Sequence, residues 1–177
     1  MQLRDLLTSL QQTGATDRVE KVAEDRSVET LSLVTFRIGK REYAIDIDEA
    51  SEIIRVGKVS IVPNSPPWVR GVCNLRGDLV PLVDLSLRFE SRETDRSVSK
   101  LIGQTAIVAR AEDTVFGLLI DEMKKTLTVP TDAVSASPSL VQSLGKNYVR
   151  GVVRREEAGE GGLLLILNLV AISSHDE

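Results

Sequence analysis

Few residues in this 177-residue sequence have the types and spacing that catalysis or metal binding requires. The one histidine, His175, lies two residues from the end, where a Ser–His or Cys–His nucleophilic pair would be poorly held. One histidine and one cysteine, Cys73, cannot supply the ligand set of a zinc site. We therefore expect a non-enzymatic protein with no catalytic residues, no metal and no cofactor.

The remaining polar motifs fit turns and strand ends better than ligand sites. The carboxylates of Asp46, Asp48 and Glu49 do not have the spacing of a calcium-binding EF-hand loop. The Gly-Lys pairs lack both the following Ser or Thr and the preceding glycine of a phosphate-binding loop. The residues alone leave a hydrolase with two convergent carboxylates open, although three Phe, two Tyr and one Trp offer little lining for a sugar or cofactor pocket.

The bulk composition disfavours nucleic acids and membranes as partners. The net charge is −4 and aromatic residues make up 3% of the chain, whereas nucleic-acid binders usually present basic surfaces or aromatic platforms. The longest apolar run, residues 163–172, is interrupted by Asn168 and is too short to span a bilayer. A single cysteine suits a reducing compartment, and the N-terminus does not resemble a signal peptide. We expect a soluble cytoplasmic protein.

From residue 31 onward the apolar residues follow a strand-like pattern. Short apolar runs alternate with turn residues, and no long helical segment lies between them, which argues against a parallel sheet with crossover helices. The pattern predicts four hairpins, with strands at residues 33–38 and 43–47, 69–75 and 79–83, 105–110 and 115–120, and 148–154 and 163–167.

The segments between these hairpins carry weaker signals. The prolines of residues 63–67 predict an extended loop, because proline has no N–H to donate to a central strand. The other assignments are a helical turn leading into a strand at 48–56, a helical turn at 85–89, a polar linker at 90–100, a short strand at 126–129 and a turn at 159–162.

Three short matches indicate an internal duplication. Residues 68–72 (Trp-Val-Arg-Gly-Val) return as 148–152 (Tyr-Val-Arg-Gly-Val), and residues 82–85 (Leu-Val-Asp-Leu) return as 166–169 (Ile-Leu-Asn-Leu). The Glu-Tyr-Ala-Ile segment that contains Tyr43 has a counterpart around Phe116. We therefore predict a mainly β fold of two small barrels packed together. The first would occupy residues 31–90 and the second 101–172, with a tail at 173–177.

Residues 1–30 differ from the rest of the chain. Leu3, Leu6, Leu7 and Leu10 recur at helical spacing, and a highly charged stretch follows. Two interpretations stay open, a frayed or disordered tail and a helix that docks on the body or on a partner. We expect the barrels to fold without this extension.

Arg76-Gly77-Asp78 reads as a hairpin turn in which glycine supplies a positive φ. A guanidinium at such a tip can anchor a partner. The sequence leaves this role of Arg76 open against an internal salt bridge or a clamp on backbone carbonyls.

Residues 71–85 (Gly-Val-Cys-Asn-Leu-Arg-Gly-Asp-Leu-Val-Pro-Leu-Val-Asp-Leu) closely resemble the signature of CheW-like coupling domains. An upstream Glu-Tyr-x-Ile-Asp-Ile hairpin, the Glu52-Ile53 pair and the proline loop agree with this resemblance, which covers residues 31–172. Two departures are Ile54, where many relatives have Arg, and the polar residues 154–157.

The resemblance implies two SH3-like five-stranded barrels and a non-catalytic adaptor at cytoplasmic receptor arrays. It implies two partners, the cytoplasmic tip of a chemoreceptor and the regulatory domain of a CheA-type histidine kinase. By motif position, Glu52 and Ile53 would face the kinase, and the receptor-facing residues would be Gly71, Asn74, Leu75, Arg76 and Gly77. The same adaptor fold could serve surface motility, phototaxis or cyclase control, and a ligand-binding β protein remains the other reading.

Overall fold

The hairpins predicted in the first half of the chain are confirmed. The computed structural model describes residues 27–90, 97–136, 139, 147–155 and 162–174. The helical turns expected before the third strand and after the second hairpin are also present. The elements are β1 (Thr30–Ile38), β2 (Arg41–Asp46), a 3₁₀ helix (Ile47–Glu49), β3 (Ala50–Arg55), β4 (Val59–Ser60), β5 (Val69–Leu75), β6 (Asp78–Val83) and α1 (Leu85–Glu90).

The second half repeats this sequence of elements with small changes. A 3₁₀ helix at Val98–Leu101 precedes the first hairpin, and its Leu101 is buried. The elements that follow are β7 (Thr105–Ala111), β8 (Thr114–Ile120), β9 (Glu122–Pro130), a 3₁₀ helix (Thr131–Ala133), β10 (Val149–Arg154), β11 (Leu163–Leu167) and α2 (Leu169–Ser173).

The strands form two sheets whose orders are related by the duplication. The five-stranded sheet has the order β10-β11-β2-β1-β9, and the six-stranded sheet has the order β3-β7-β8-β6-β5-β4. The repeat matches β1, β2, β3, β5 and β6 with β7, β8, β9, β10 and β11. When each strand is replaced by its match, the order of the five-stranded sheet, read in reverse, becomes the order of the six-stranded sheet without β4. The structure is therefore mainly β, as predicted, with an internal repeat.

The two sheets do not coincide with the two halves of the sequence. The hairpin β1–β2 joins β9, β10 and β11, while the hairpin β7–β8 joins β3 to β6. Parallel pairing of β11 with β2 and of β6 with β8 makes two of these joins, and β3 pairs antiparallel with β7. This differs from the expectation of one barrel in residues 31–90 and another in 101–172, because each sheet takes one hairpin from the opposite repeat.

Tight turns fix the hairpin registers. Gly39 has a φ of +60°, and Ile38 pairs with Arg41 across the two-residue turn. Arg76 and Gly77 have φ values of +54° and +89°, so both central residues of the β5–β6 turn are left-handed. Such turns match the right-handed twist of the flanking strands.

One core joins both sheets. The largest apolar cluster combines Phe36 and Tyr43 of the five-stranded sheet with Phe116 of the six-stranded sheet, and Trp68 and Tyr148 also belong to it. The chain divides into two units between Thr30 and Leu31, and these core residues all lie in the second unit.

Some segments differ from expectation. β9 is longer than the predicted strand at 126–129, because Lys125 stands on the face of Met123 and Leu127 and interrupts the apolar alternation. The segment 90–100 is not only a linker, since it includes the start of the 3₁₀ helix at Val98–Leu101. The turn expected at 159–162 lies mostly outside the described residues, as do the helix expected in residues 1–10 and His175. No helix in the described ranges is long and apolar enough to cross a membrane.

Candidate partner-binding surface

The β5–β6 turn and strand β3 bring Arg76 and Glu52 together. Arg76 Nη1 donates to Glu52 Oε1 at 3.0 Å, and Arg76 Nη2 donates to Glu52 Oε2 at 2.9 Å. The Arg76 side chain is 76% exposed and the Glu52 side chain 28% exposed. The internal salt bridge is therefore present, and the guanidinium still faces solvent, so its role as a partner anchor stays a prediction.

A hydrogen bond between the Gly77 backbone and the Asn74 side chain holds the turn that carries Arg76. The Gly77 N–H donates to Asn74 Oδ1 at 2.9 Å, which ties the strand before the turn to the residue after Arg76. Arg76 itself has a φ of +54°, a conformation that non-glycine residues rarely adopt. Asn74 and Gly77 thus define the direction of the Arg76 side chain.

Strand β3 positions the other two predicted residues on opposite faces. It pairs antiparallel with β7, and Glu52 lies opposite Val108. Alternation along β3 leaves Glu52 and Ile54 half-buried, whereas Ile53 is 55% exposed. Glu52 therefore points toward the turn, and Ile53 points to solvent.

The Ile54 departure has a structural explanation. Ile54 packs against the smaller core cluster that contains Cys73, Val80 and Leu82. This packing fixes the register of β3, so that Arg55 faces solvent and donates from Nη1 to the Gly103 carbonyl at 3.1 Å. A cation therefore lies on the same exposed side of β3 as Ile53.

Two exposed apolar side chains lie on segments next to the residues of this surface. Leu79, which lies opposite Asn74 near the start of β6, is 69% exposed. Ile102, next to the Gly103 that binds Arg55, is also exposed. Leu75, by contrast, is half-buried against the smaller cluster. A charged pair with apolar neighbours can contact a partner through both kinds of interaction.

Gly71 has a packing role in strand β5, which leads to the turn of Arg76. A Cβ at this position would lie 2.6 Å from Val59 Cγ1 and 2.7 Å from the Ser60 carbonyl oxygen. The missing side chain lets β4 pair closely with β5, where Ser60 lies opposite Val72. Gly151, the repeat equivalent of Gly71, would likewise place a Cβ 2.5 Å from Val134 Cγ1.

Of the sequence-predicted residues, the structure joins Glu52 with Arg76 and places Asn74, Leu75 and Gly77 beside them. Gly71 is buried and has a packing role. Sequence reasoning missed Leu79, although its place beside the turn on an alternating strand was a usable signal. It also missed the exposed Ile102, which belongs to no periodic pattern, and the contact between Glu52 and Arg76.

Cys73 is 5% exposed and belongs to the smaller core cluster, and burial raises the pKa of its thiol. It packs there as a small apolar side chain. Among the described ranges, no group of three or more His, Cys, Asp or Glu side chains is placed to hold a metal ion.

The fold is mainly β with an internal repeat, and an exposed ion pair lies at one of its turns. The family model described as "CheW-like domain" matches residues 32–177. The chain therefore belongs to the CheW-like domain family, whose members are non-catalytic adaptors.

Curated relatives and a solved structure agree with the family. The chain is 33% identical to "Chemotaxis protein CheW" of Treponema pallidum over 150 residues, which is 84% of this chain and 85% of that protein. It is 29% identical over 136 residues to "Protein PilI" of Pseudomonas aeruginosa, covering 76% of this chain and 74% of that protein. The crystal structure of scaffolding protein TtCheW from Thermoanaerobacter tengcongensis has a similar fold, with a TM-score of 0.64, 20% identity and coverage of 79% of this chain and 90% of that one.

Proposed function

We propose that this chain couples chemoreceptors to a CheA-type histidine kinase as a non-catalytic adaptor in the cytoplasm at receptor arrays. The observation that carries the site assignment is the bidentate ion pair between Arg76 and Glu52. It places the residue expected to face the receptor against the residue expected to face the kinase.

The receptor surface consists of the β5–β6 turn and its supports. Arg76 supplies an exposed guanidinium that can bind carboxylates or carbonyls of a receptor helix. Asn74 and Gly77 hold the turn, Leu75 supports it from the smaller core cluster, and Gly71 allows close pairing of the strand beneath.

The kinase surface is the exposed side of β3. Ile53 supplies an apolar contact on an edge strand of the six-stranded sheet, and Arg55 lies two residues further on the same side. Glu52 belongs to both surfaces, because its carboxylate orients Arg76 while its strand carries Ile53.

Two variants separate these roles. Arg76→Glu should weaken binding to a receptor cytoplasmic fragment, with a smaller effect on binding to the kinase regulatory domain. Ile53→Lys should do the reverse, because it adds a charge to the apolar kinase contact. Both affinities can be measured by titration calorimetry with the purified partners.

Arg154→Glu is a matched control, since Arg154 is exposed on β10 of the other sheet. It should leave both affinities unchanged. Equal binding by the parent chain, Arg76→Glu and Ile53→Lys would refute the site assignment, and the absence of binding to either partner by the folded parent chain would refute the adaptor function.

The pathway depends on the partners. A receptor and kinase of a surface-motility, phototaxis or cyclase-control system would use the same surfaces.

A further inference from the structure

Arg88 of α1 lies at the junction of the two repeats. Its guanidinium carbon is 4.2 Å from the centroid of the Trp68 ring and 4.9 Å from the centroid of the Tyr148 ring. Trp68 and Tyr148 open the matching Val-Arg-Gly-Val segments, so they are equivalent residues of the two repeats. One cation thus contacts both copies of the same aromatic position.

The same guanidinium binds the end of α2 in the second repeat. Arg88 Nη2 donates to the Ser174 carbonyl at 2.7 Å and to the Ala171 carbonyl at 3.3 Å. These carbonyls lie at the C-terminal end of α2, where helix carbonyls lack partners within the helix. Arg88 therefore connects α1 of the first repeat to α2 of the second.

The second repeat has no matching cation. Asp84 and Asn168 are equivalent in the two repeats, and each caps the helix that follows it. In this alignment Ile172 occupies the position equivalent to Arg88. Ile172 is fully buried in the main core cluster. At the junction of α1 and α2, the cation therefore comes from the first repeat and its equivalent position in the second repeat is apolar.

Two polar atoms at this junction make no hydrogen bond. Arg88 Nε and the Tyr148 hydroxyl are both buried, and neither has a hydrogen-bond partner among the described residues. Tyr148 therefore contributes its ring face to Arg88, while its hydroxyl adds no hydrogen bond. Desolvated cation–π contacts of this kind are among the stronger ones.

We propose that Arg88 is a clamp that keeps α2, at the end of the second repeat, packed against α1 and Trp68 of the first repeat. Its loss should allow α2 and the junction to open locally while both sheets stay folded. Such local opening is expected where a few contacts, and not an extended ladder of hydrogen bonds, hold an element in place.

Native-state hydrogen exchange on Arg88→Met tests the clamp. The reporters are the amides of Ile172 and Ser174, which donate to Asn168 and Val170 within α2. Their exchange should accelerate on the order of tenfold, the size expected for loss of these cation contacts. The amide of Leu118, in the β7–β8 ladder, is the reference and should change much less.

Trp68, the only tryptophan in the chain, gives a second readout. Its emission should shift in Arg88→Met. Tyr148→Phe is the matched control, because it keeps the ring face and removes only the unpartnered hydroxyl, so neither exchange at α2 nor the Trp68 emission should change. Arg88→Lys, which keeps a charge but loses the planar fork, should give an intermediate exchange rate.

Unchanged exchange at Ile172 and Ser174 in Arg88→Met would overturn the proposal. Equal acceleration at Leu118 would overturn it as well, because Arg88 would then contribute only to global stability. If Arg88→Met does not fold, the same comparison between α2 and β8 is made on Arg88→Lys and decides in the same way.

Discussion

Arg76 on the β5–β6 turn and Glu52 on β3 form a bidentate ion pair, with both N–O distances at or below 3.0 Å. The two residues are 24 positions apart in the sequence, and their strands are not neighbours in the sheet. The pair thus links two segments that the backbone hydrogen bonds of the sheet do not join directly. Its exposure makes it better suited to orienting a contact surface than to stabilising the fold.

The ion pair should contribute little to stability. Because Arg76 is largely exposed, a double-mutant cycle of Arg76→Ala and Glu52→Ala should give a coupling energy of about 0.2–1 kcal/mol in urea denaturation. Arg76→Glu should likewise stay folded by circular dichroism. Loss of several kcal/mol, or unfolding of Arg76→Glu, would show that Arg76 is a structural residue and that its assignment to the receptor surface is wrong.

Gly71→Ala should destabilise the protein by about 1–3 kcal/mol, since the added methyl would overlap both Val59 and the backbone of Ser60. Gly71 also has a φ of +149°, which alanine adopts only with strain. Thermal or urea denaturation measures the loss. The matched control is Gly57→Ala, where an added Cβ would meet no atom within 4 Å and stability should be unchanged or slightly higher. Equal effects of the two substitutions would contradict the close approach of β4.

Cys73 should react with a thiol reagent only when the chain opens. The side chain is buried, and burial raises the pKa of the thiol, so both access and thiolate fraction are low. Modification of the native protein should be much slower than in urea and should follow the rate of opening. Rapid stoichiometric labelling without denaturant would show that the smaller core cluster is not closed around Cys73.

Burial raises the pKa of Glu49 above its ordinary value of 4.5, and this desolvation outweighs the hydrogen bond from the Asp46 N–H and the charge of Arg150. The native state then holds this proton more tightly than the unfolded state, so the Glu49 contribution to stability falls as pH rises from 4.5 through the raised pKa. Glu49→Gln keeps an acceptor for the Asp46 N–H and removes the ionisation. In urea denaturation, the free energy of unfolding of Glu49→Gln should therefore rise relative to that of the parent as the pH rises from 4 to 7. A difference in the opposite direction would mean that ionised Glu49 is favoured in the fold.

The sequence predicted the hairpins because their strands alternate cleanly and their turns contain Gly39 and Gly77. It predicted the duplication because the same Val-Arg-Gly-Val segment recurs with the same glycine, which in both repeats removes a side chain from a crowded strand crossing. It did not predict that the repeats exchange hairpins between sheets. Parallel pairing of β6 with β8 and of β11 with β2 depends on tertiary packing, which leaves no local periodic signal.

The sequence predicted the residues of the site but not how they come together. Motif position identified Arg76 and Glu52 separately, but their contact depends on how β3 approaches the turn in three dimensions. Arg88 was not identified, since an arginine on a short amphipathic helix looks like a surface residue until the Trp68 and Tyr148 rings are brought to it.

The most direct test of the adaptor function is co-sedimentation of a CheA-type kinase with receptor-containing membranes, measured as this chain is added. We expect the sedimented kinase to rise with the concentration of the chain and to saturate. Arg76→Glu should fail to recruit the kinase, while Arg154→Glu should behave like the parent. Sedimentation of kinase that does not depend on the chain, with the chain folded and present in excess, would contradict the adaptor function.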